Sequence, residues 1–348
     1  MSKNIENNEE LKFAIVRNDN TGEDYLKSFD KKGASNSYVK WGIDNKLPDF
    51  LYDAYLKNSN LQAVIQTVAN YAFGEGVEVS GIDNEDLNDT IEKCIFDYIL
   101  FGGFSVECIR SRGGSVVKIN YINVQNVRVN EELTTAYLSP KWGSYSGKDI
   151  VELPLYNPEE KQNHFIYFYR GKLTRGINPI PMYIGALKSV EILNATRNFH
   201  LNNVNNSFNV SAIINLNNGN IKTKELKEIQ ERLENNFTGA KNAGKFMLIN
   251  GGDKEHQATV MKLDGNNFGD MYQALDKSSK EDIFVAFRIN PILCGVNVAT
   301  GFSKEEFAQA YNLYYATVIK PMQNSIVRVF REIGIEITFK PFVINWSE

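Results

Sequence analysis

The feature that most constrains this chain is an order of periodicities: a long helical pattern over 182–206, a short unit of strand and turn signals, and a second long helical pattern over about 268–287. In the first of these, Tyr183, Leu187, Val190 and Leu193 recur at three and four residue spacing and so share one stripe of a helix. The unit between reads as a strand at 210–216, a turn at Asn217-Asn218-Gly219, a helix at 223–237 and strands at 246–249 and 259–262. A third long pattern, 304–333, carries Phe307, Tyr311, Tyr314, Val318, Met322, Ile326, Val329 and Ile333 on one face. Pro321 is predicted to kink it, because its ring displaces the carbonyl of Thr317 and removes a hydrogen bond. Phe307, Tyr311 and Tyr314 read as core packing. No repeat of fixed period accompanies these patterns, which argues against solenoids and propellers.

Ahead of the rods lies an α+β body over 41–180. Residues 1–40 are polar with little periodicity and read as an arm. Order begins at Trp41-Gly42-Ile43-Asp44-Asn45-Lys46-Leu47-Pro48, where Asp44-Asn45 is expected to cap a helix that Pro48 opens. Phe50, Leu51, Ala54 and Tyr55, then Leu61, Val64, Ile65, Val68 and Tyr71, make a helical hairpin that stops at Gly74-Glu75-Gly76. A helix over 83–101 starts in an acidic cluster, read as capping, and ends at Gly102-Gly103. Strands are predicted at 104–109, 116–122, 127–129, 150–155 and 165–169, a breaker cluster runs from Gly176 to Pro181, and a strand over 336–344 closes the chain.

Length and composition bound the function. A chain of 348 residues, 43% hydrophobic and 12% aromatic, builds a real core in about two domains or one elongated subunit. A net charge of −4 rules out a surface that binds polyanions strongly throughout. Three cysteines, Cys94, Cys108 and Cys294, lie far apart in apolar runs and read as buried, inert thiols in a reducing compartment. A polar, acidic start and the lack of an eighteen-residue apolar run predict neither a signal peptide nor a membrane span. Phosphate-cradling glycine motifs, GxSxG and HExxH are absent, and His164, His200 and His256 share no metal spacing. No catalytic residue, metal or cofactor is therefore assigned.

The ordered segments resemble the portal proteins of tailed bacteriophages, in particular the smaller ones. Trp41-Gly42-Ile43-Asp44-Asn45-Lys46-Leu47-Pro48, followed by an apolar helix ending in Phe73-Gly74-Glu75-Gly76, is similar to the "WGxDNxxP … GxG" opening of that family. Gly176 with Pro181-Met182-Tyr183-Ile184-Gly185-Ala186 resembles its "YGxPxYxxA" segment, with the glycine five residues before the proline instead of two. Ile289-Asn290-Pro291-Ile292-Leu293-Cys294-Gly295 resembles "VPPxLxG" with Asn290 in place of the first proline. Ser303-Lys304-Glu305-Glu306 resembles "NxEE" with Ser303 for asparagine, and Val318-Ile319-Lys320-Pro321-Met322 resembles the later "xxLxPxxxxI" turn. Each motif is weak alone; the ordered set covers about 41–340.

The resemblance implies a portal fold: a wing over 41–180, stem helices over 181–206 and 267–288, a clip over 207–264, a tunnel loop over 289–303, and a kinked helix and strand over 304–348 that return to the wing, with the crown absent or minimal. It implies a dodecameric homo-oligomer at one capsid vertex of the virion, assembled in the bacterial host cytoplasm, with double-stranded DNA passing through it. The major capsid protein, terminase and a head-tail adaptor are the implied partners, with no membrane. Val296, Asn297, Val298, Ala299, Thr300 and Gly301 are then the DNA-facing tunnel loop, although an ordinary interhelical connection would look alike. Lys188, Arg197, Lys277 and Lys280 either line the channel or pair with Glu191, Asp276 or Asp282 across subunits. Lys222, Lys224, Lys227, Arg232, Lys241 and Lys245 in the clip either meet DNA or terminase or belong to a solvated face of alternating charge. The other readings open at this point are a different head-tail adaptor and a nucleic-acid-processing enzyme whose carboxylates meet only in the fold.

Overall fold

The computed structural model describes residues 38–42, 45–82, 86–142, 150–205, 212–216, 246–250, 259–262, 268–296 and 303–343. Pro48 lies in the first turn of α1 (Leu47–Lys57), where its missing N–H costs nothing, and α2 (Ser59–Phe73) restarts after Asn58. Asn58 has extended backbone, and its Oδ1 accepts the N–H groups of Asn60 and Leu61, so it caps α2.

The cap expected at the start of α1 is not there. Lys46 occupies that position without a side-chain bond, and Asp44 is outside the described residues. Asn45 stands at φ +66, and its Oδ1 accepts the Trp41 N–H at 2.9 Å and the Nε–H of Arg128. Trp41 and Asn45 thus clamp a buried guanidinium. Arg128 also donates to the carbonyls of Gln125, Val127 and Asn45, and its Cζ lies 5.4 Å from the Trp41 ring centre and 4.9 Å from that of Trp142. Burial lowers its pKa to about 9, which leaves it charged at neutral pH.

Strand β1 (Val77–Ser80) precedes α3 (Leu87–Phe101), which starts later than 83. Asp86 precedes it at φ −88, ψ 5 instead of in the extended conformation a capping side chain needs, and it makes no capping bond. Of the acidic cluster, Asp89 in the first turn still meets the positive end of the helix. The body then forms two antiparallel sheets. In the first, β2 (Phe104–Arg110) is flanked by β3 (Val116–Ile122) and by a strand at His164–Tyr169. In the second, β4 (Val127–Val129), β5 (Thr135–Leu138) and β6 (Val151–Pro154) pair in order, over a small core of Val127, Val129, Ala136, Leu155 and Ile166. The His164–Tyr169 strand is β7, and β8 (Thr174–Arg175) with β9 (Asn178–Pro179) makes a short hairpin.

Helix α4 (Leu187–Asn205) begins five residues later than the periodicity predicts, because Tyr183, Pro181 and Gly185 belong to a tight turn whose 3-10 part is Ile184–Ala186. Strand β10 (Ala212–Leu216) pairs in parallel with β11 (Phe246–Asn250) and antiparallel with β12 (Thr259–Lys262). A parallel pair needs a crossover connection; the expected helix at 223–237 falls in that stretch, outside the described residues. Helix α5 (Phe268–Phe287) returns to the body. The long C-terminal pattern is three pieces: α6 (Lys304–Tyr314), a π turn at Tyr315–Ile319 and α7 (Lys320–Glu332). A wider turn meets the expected break, since Pro321 has no N–H for the α ladder and its ring crowds the Thr317 carbonyl. The last strand, β13 (Glu336–Phe339), is shorter than expected and pairs with β1. Phe307 and Tyr314 are buried and Tyr311 packs against the same core, as read.

Candidate functional site

The rods and the turn that joins them to α6 are fixed to the body by a few polar contacts. Tyr183 stacks on Phe287 with ring centres 5.1 Å apart and planes 14° apart, and its hydroxyl donates to the Leu100 carbonyl at 2.8 Å. The bases of α4 and α5 are therefore held against the end of α3. Between the rods, Ser189 Oγ donates to Asp282 Oδ2 at 2.7 Å, and further along Phe199 and His200 lie 4.7 and 5.4 Å from the Tyr272 ring.

Asn58 ties α4 to the hairpin. Besides capping α2, it donates through Nδ2 to the Val190 carbonyl at 3.3 Å and to Asn194 Oδ1 at 3.1 Å, and it is fully buried. Asn58→Ala removes the cap, worth about 1 kcal/mol, and leaves the buried Val190 carbonyl and the half-buried Asn194 Oδ1 without that donor, worth about 1–2 more. A loss of about 2–3 kcal/mol in urea unfolding is expected; a loss below about 0.5 kcal/mol would show that the clamp is idle.

The segment after α5 is anchored at both ends. Tyr314 donates to the Phe287 carbonyl at 3.3 Å, and Asn290 Oδ1 accepts the Ile292 N–H to start a 3-10 turn, Pro291–Cys294. Gly295 closes that turn at φ +69, and the Tyr71 hydroxyl donates to the Leu293 carbonyl at 2.7 Å. Burial pushes the Tyr71 pKa up to about 12, so this donor keeps its proton. Downstream, Ser303 and Glu306 form a reciprocal capping box, both bonds 3.1 Å, at the start of α6.

Of the residues singled out in the sequence, Val296 is the last described before this loop and is partly exposed; Asn297, Val298, Ala299, Thr300 and Gly301 lie outside the described residues. So do Lys222, Lys224, Lys227, Arg232, Lys241 and Lys245. On the rods, Lys280 pairs with Asp276 at 2.5 Å within α5, and Arg197 donates to Ser59 Oγ at 3.0 Å. Lys188 and Lys277 are exposed. Asp282 faces Ser189 of the same chain.

The chemistry of this region is that of positioning. Cys94 and Cys108 are buried, whereas Cys294 is only partly so, because the turn that carries it stands near the surface. Burial raises all three thiols, to about 12 for Cys108 and about 11 for Cys294, so thiolate is scarce at neutral pH. Among the described residues, no three of His, Cys, Asp and Glu come together, and no helix is long and apolar enough to cross a membrane. Large apolar side chains do face water: Val285 on α5 is 74% exposed and Leu313 on α6 67%, with Ile192, Phe199 and Leu201 along α4.

Solved structures share this fold. A chain of the native gene transfer agent virion is 13% identical, with a TM-score of 0.55 over 84% of this chain and 83% of that one. A chain from the neck of the empty gene transfer agent particle, computed with C6 symmetry, is 14% identical, with a TM-score of 0.54 over 84% of each. An HK97 family phage portal protein from Corynebacterium diphtheriae is 11% identical, with a TM-score of 0.53 over 82% of this chain and 94% of that one. No curated protein matches the sequence. The family model for phage portal proteins matches residues 84–333, a stretch that takes in α3, both sheets of the body, the two rods and the broken helix after them. With well over half of its length inside that match, the chain belongs to the phage portal protein family.

Proposed function

We propose that this chain is a structural subunit of a dodecameric ring at one capsid vertex of a phage virion, with no catalytic role. Residues 41–180 form the wing, 181–206 and 267–288 the stem, 207–264 the clip and 289–303 the tunnel loop. Double-stranded DNA passes through the bore during packaging and ejection, and the ring contacts the major capsid protein, docks terminase and later takes the head-tail adaptor. The observation that carries this reading is the apolar surface on the rods and α6. Val285, Leu313, Ile192, Phe199 and Leu201 are left in water by a lone chain and are suited to contact with a neighbouring copy.

Charge supports a conduit. Twelve chains at −4 carry roughly −48, which disfavours tight capture of DNA phosphates. The small side chains of residues 296–301 suit a surface that DNA slides past. Electron microscopy of the purified, assembled protein is expected to show twelve-fold rings with a central channel. Particles that remain monomers or dimers under all assembly conditions would overturn the proposal.

A further inference from the structure

The two rods of one chain are held level with each other. Ser189 on α4 meets Asp282 on α5 at 2.7 Å, and ten residues further along α4 Phe199 meets Tyr272, ten residues back along α5. The rods are therefore antiparallel in a fixed register, which puts Asn194 level with Lys277 and Asn198 level with Gln273. At about 100° a residue, Glu191 lies about 200° round α4 from Ser189, and Lys277 lies about 140° round α5 from Asp282. Both side chains thus turn away from the seam, to opposite outer edges of the pair. The charges on the rods sort in the same way. Lys280 is held by Asp276, Asp282 by Ser189 and Arg197 by Ser59, all within the chain. Lys277 is exposed and has no hydrogen-bond or ion-pair partner among the described residues. Glu281, one turn further on, follows the lysine, which is the weaker order for a helical pair.

We infer that Lys277 of one copy pairs with Glu191 of the next, so that the outer edge of α5 packs on the outer edge of its neighbour's α4. The inference rests on the ring proposed above and names the contact that closes it. A lysine and a glutamate on opposite edges cannot meet within one chain, whereas a head-to-tail contact joins two different patches and closes into a ring. Rotation about a ring axis moves nothing along that axis, so rods that follow the bore keep their levels from copy to copy. Glu191 then stands three residues, about 4.5 Å, from the level of Lys277, a step that a lysine side chain spans. Asn198 and Gln273, both exposed and at one level, fall on the same two edges and add a neutral hydrogen-bonding rung beside the ion pair.

The test uses the full chain, with assembled rings counted by electron microscopy. Lys277→Glu should lower the ring yield at least ten-fold, because it sets two carboxylates against each other across the contact, and Glu191→Lys should do the same with two ammonium groups. The two substitutions together should restore the yield to within two-fold of the parent, with melting of the unassembled chain unchanged throughout. In a second arm, a chain with Glu191→Cys is mixed with one carrying Lys277→Cys, assembled and mildly oxidised. Peptide mapping should find a disulfide between positions 191 and 277 of different chains, at least ten-fold more abundant than in the same mixture oxidised before assembly. Rings that form at the parent's yield from Lys277→Glu, a loss that the double exchange does not repair, or rings without the 191–277 disulfide would overturn the pairing and leave the ring standing. A parent chain that forms no rings would overturn the ring itself, and the pairing with it.

Discussion

Gly102→Ala is expected to cost more than about 4 kcal/mol and to leave little folded protein. Gly102 ends α3 at φ +86, a conformation L residues adopt at a cost of about 1–3 kcal/mol. Space makes the cost larger. A Cβ there would stand 2.3 Å from both the carbonyl carbon and oxygen of Ile180 and 2.8 Å from the Pro181 nitrogen. These are backbone atoms of the segment that leads into α4, so no side chain can swing aside to relieve the overlap. Two controls separate the causes. Gly295→Ala carries the left-handed φ, +69, but meets nothing within 4 Å, so it should cost about 1 kcal/mol. Gly185→Ala has neither problem and should be within about 0.5 kcal/mol of the parent. Urea unfolding of the three variants should rank them in that order; Gly102→Ala melting like Gly185→Ala would mean that the contact between α3 and the rods is slack.

The second large effect depends on pH. Asp97, on the inner face of α3, is fully buried, and its Oδ2 accepts the Tyr121 hydroxyl at 2.9 Å and the Val124 N–H at 3.0 Å. Burial raises its pKa from 3.8 to about 7, outweighing the two hydrogen bonds that favour the anion. Between about pH 4 and 7 the folded chain therefore keeps a proton that the unfolded chain has released. More protons bound in the folded state means stability falls as pH rises through that window and levels off above it. The loss amounts to about 4 kcal/mol at pH 8, from roughly three units at 1.36 kcal/mol each. Asp97→Asn keeps an acceptor for both donors and removes the charge. It should be more stable than the parent at pH 8 by up to about 4 kcal/mol and nearly equal at pH 4. A gap of the same size at both pH values, or a less stable variant at pH 8, would contradict the assignment.

Much of the architecture was legible because long amphipathic helices and glycine stops report themselves locally. Leu61, Ile65 and Val68, or Gly102 after Phe101, need no partner to be interpreted. The short elements were not legible. β1 exists because β13, some 260 residues away, pairs with it, and β5 because β4 and β6 flank it; neither condition is visible in a window of eight residues. The roles of Asn45 and Asn58 were hidden for the same reason. A cap is a local inference, whereas Asn45 serves Arg128 and Asn58 reaches α4. Arg128 itself gave no signal, since an arginine between two valines in a strand reads as surface.

One break could have been read more closely. The apolar stripe of the C-terminal pattern steps by four, three, four, four, four, three and four residues from Phe307 to Ile333, and three successive steps of four exceed what a period of 3.6 sustains. The π turn at Tyr315–Ile319 absorbs that surplus residue. It works as a phase adjuster: each residue advances an α-helix by about 100°, so a straight continuation would rotate Phe307 and Tyr314 away from the side on which Met322, Ile326 and Val329 are buried. The wide turn keeps the azimuth of α6 matched to that of α7, so the direction in which α6 sets out from Ser303 is fixed by one surplus residue about a dozen positions downstream.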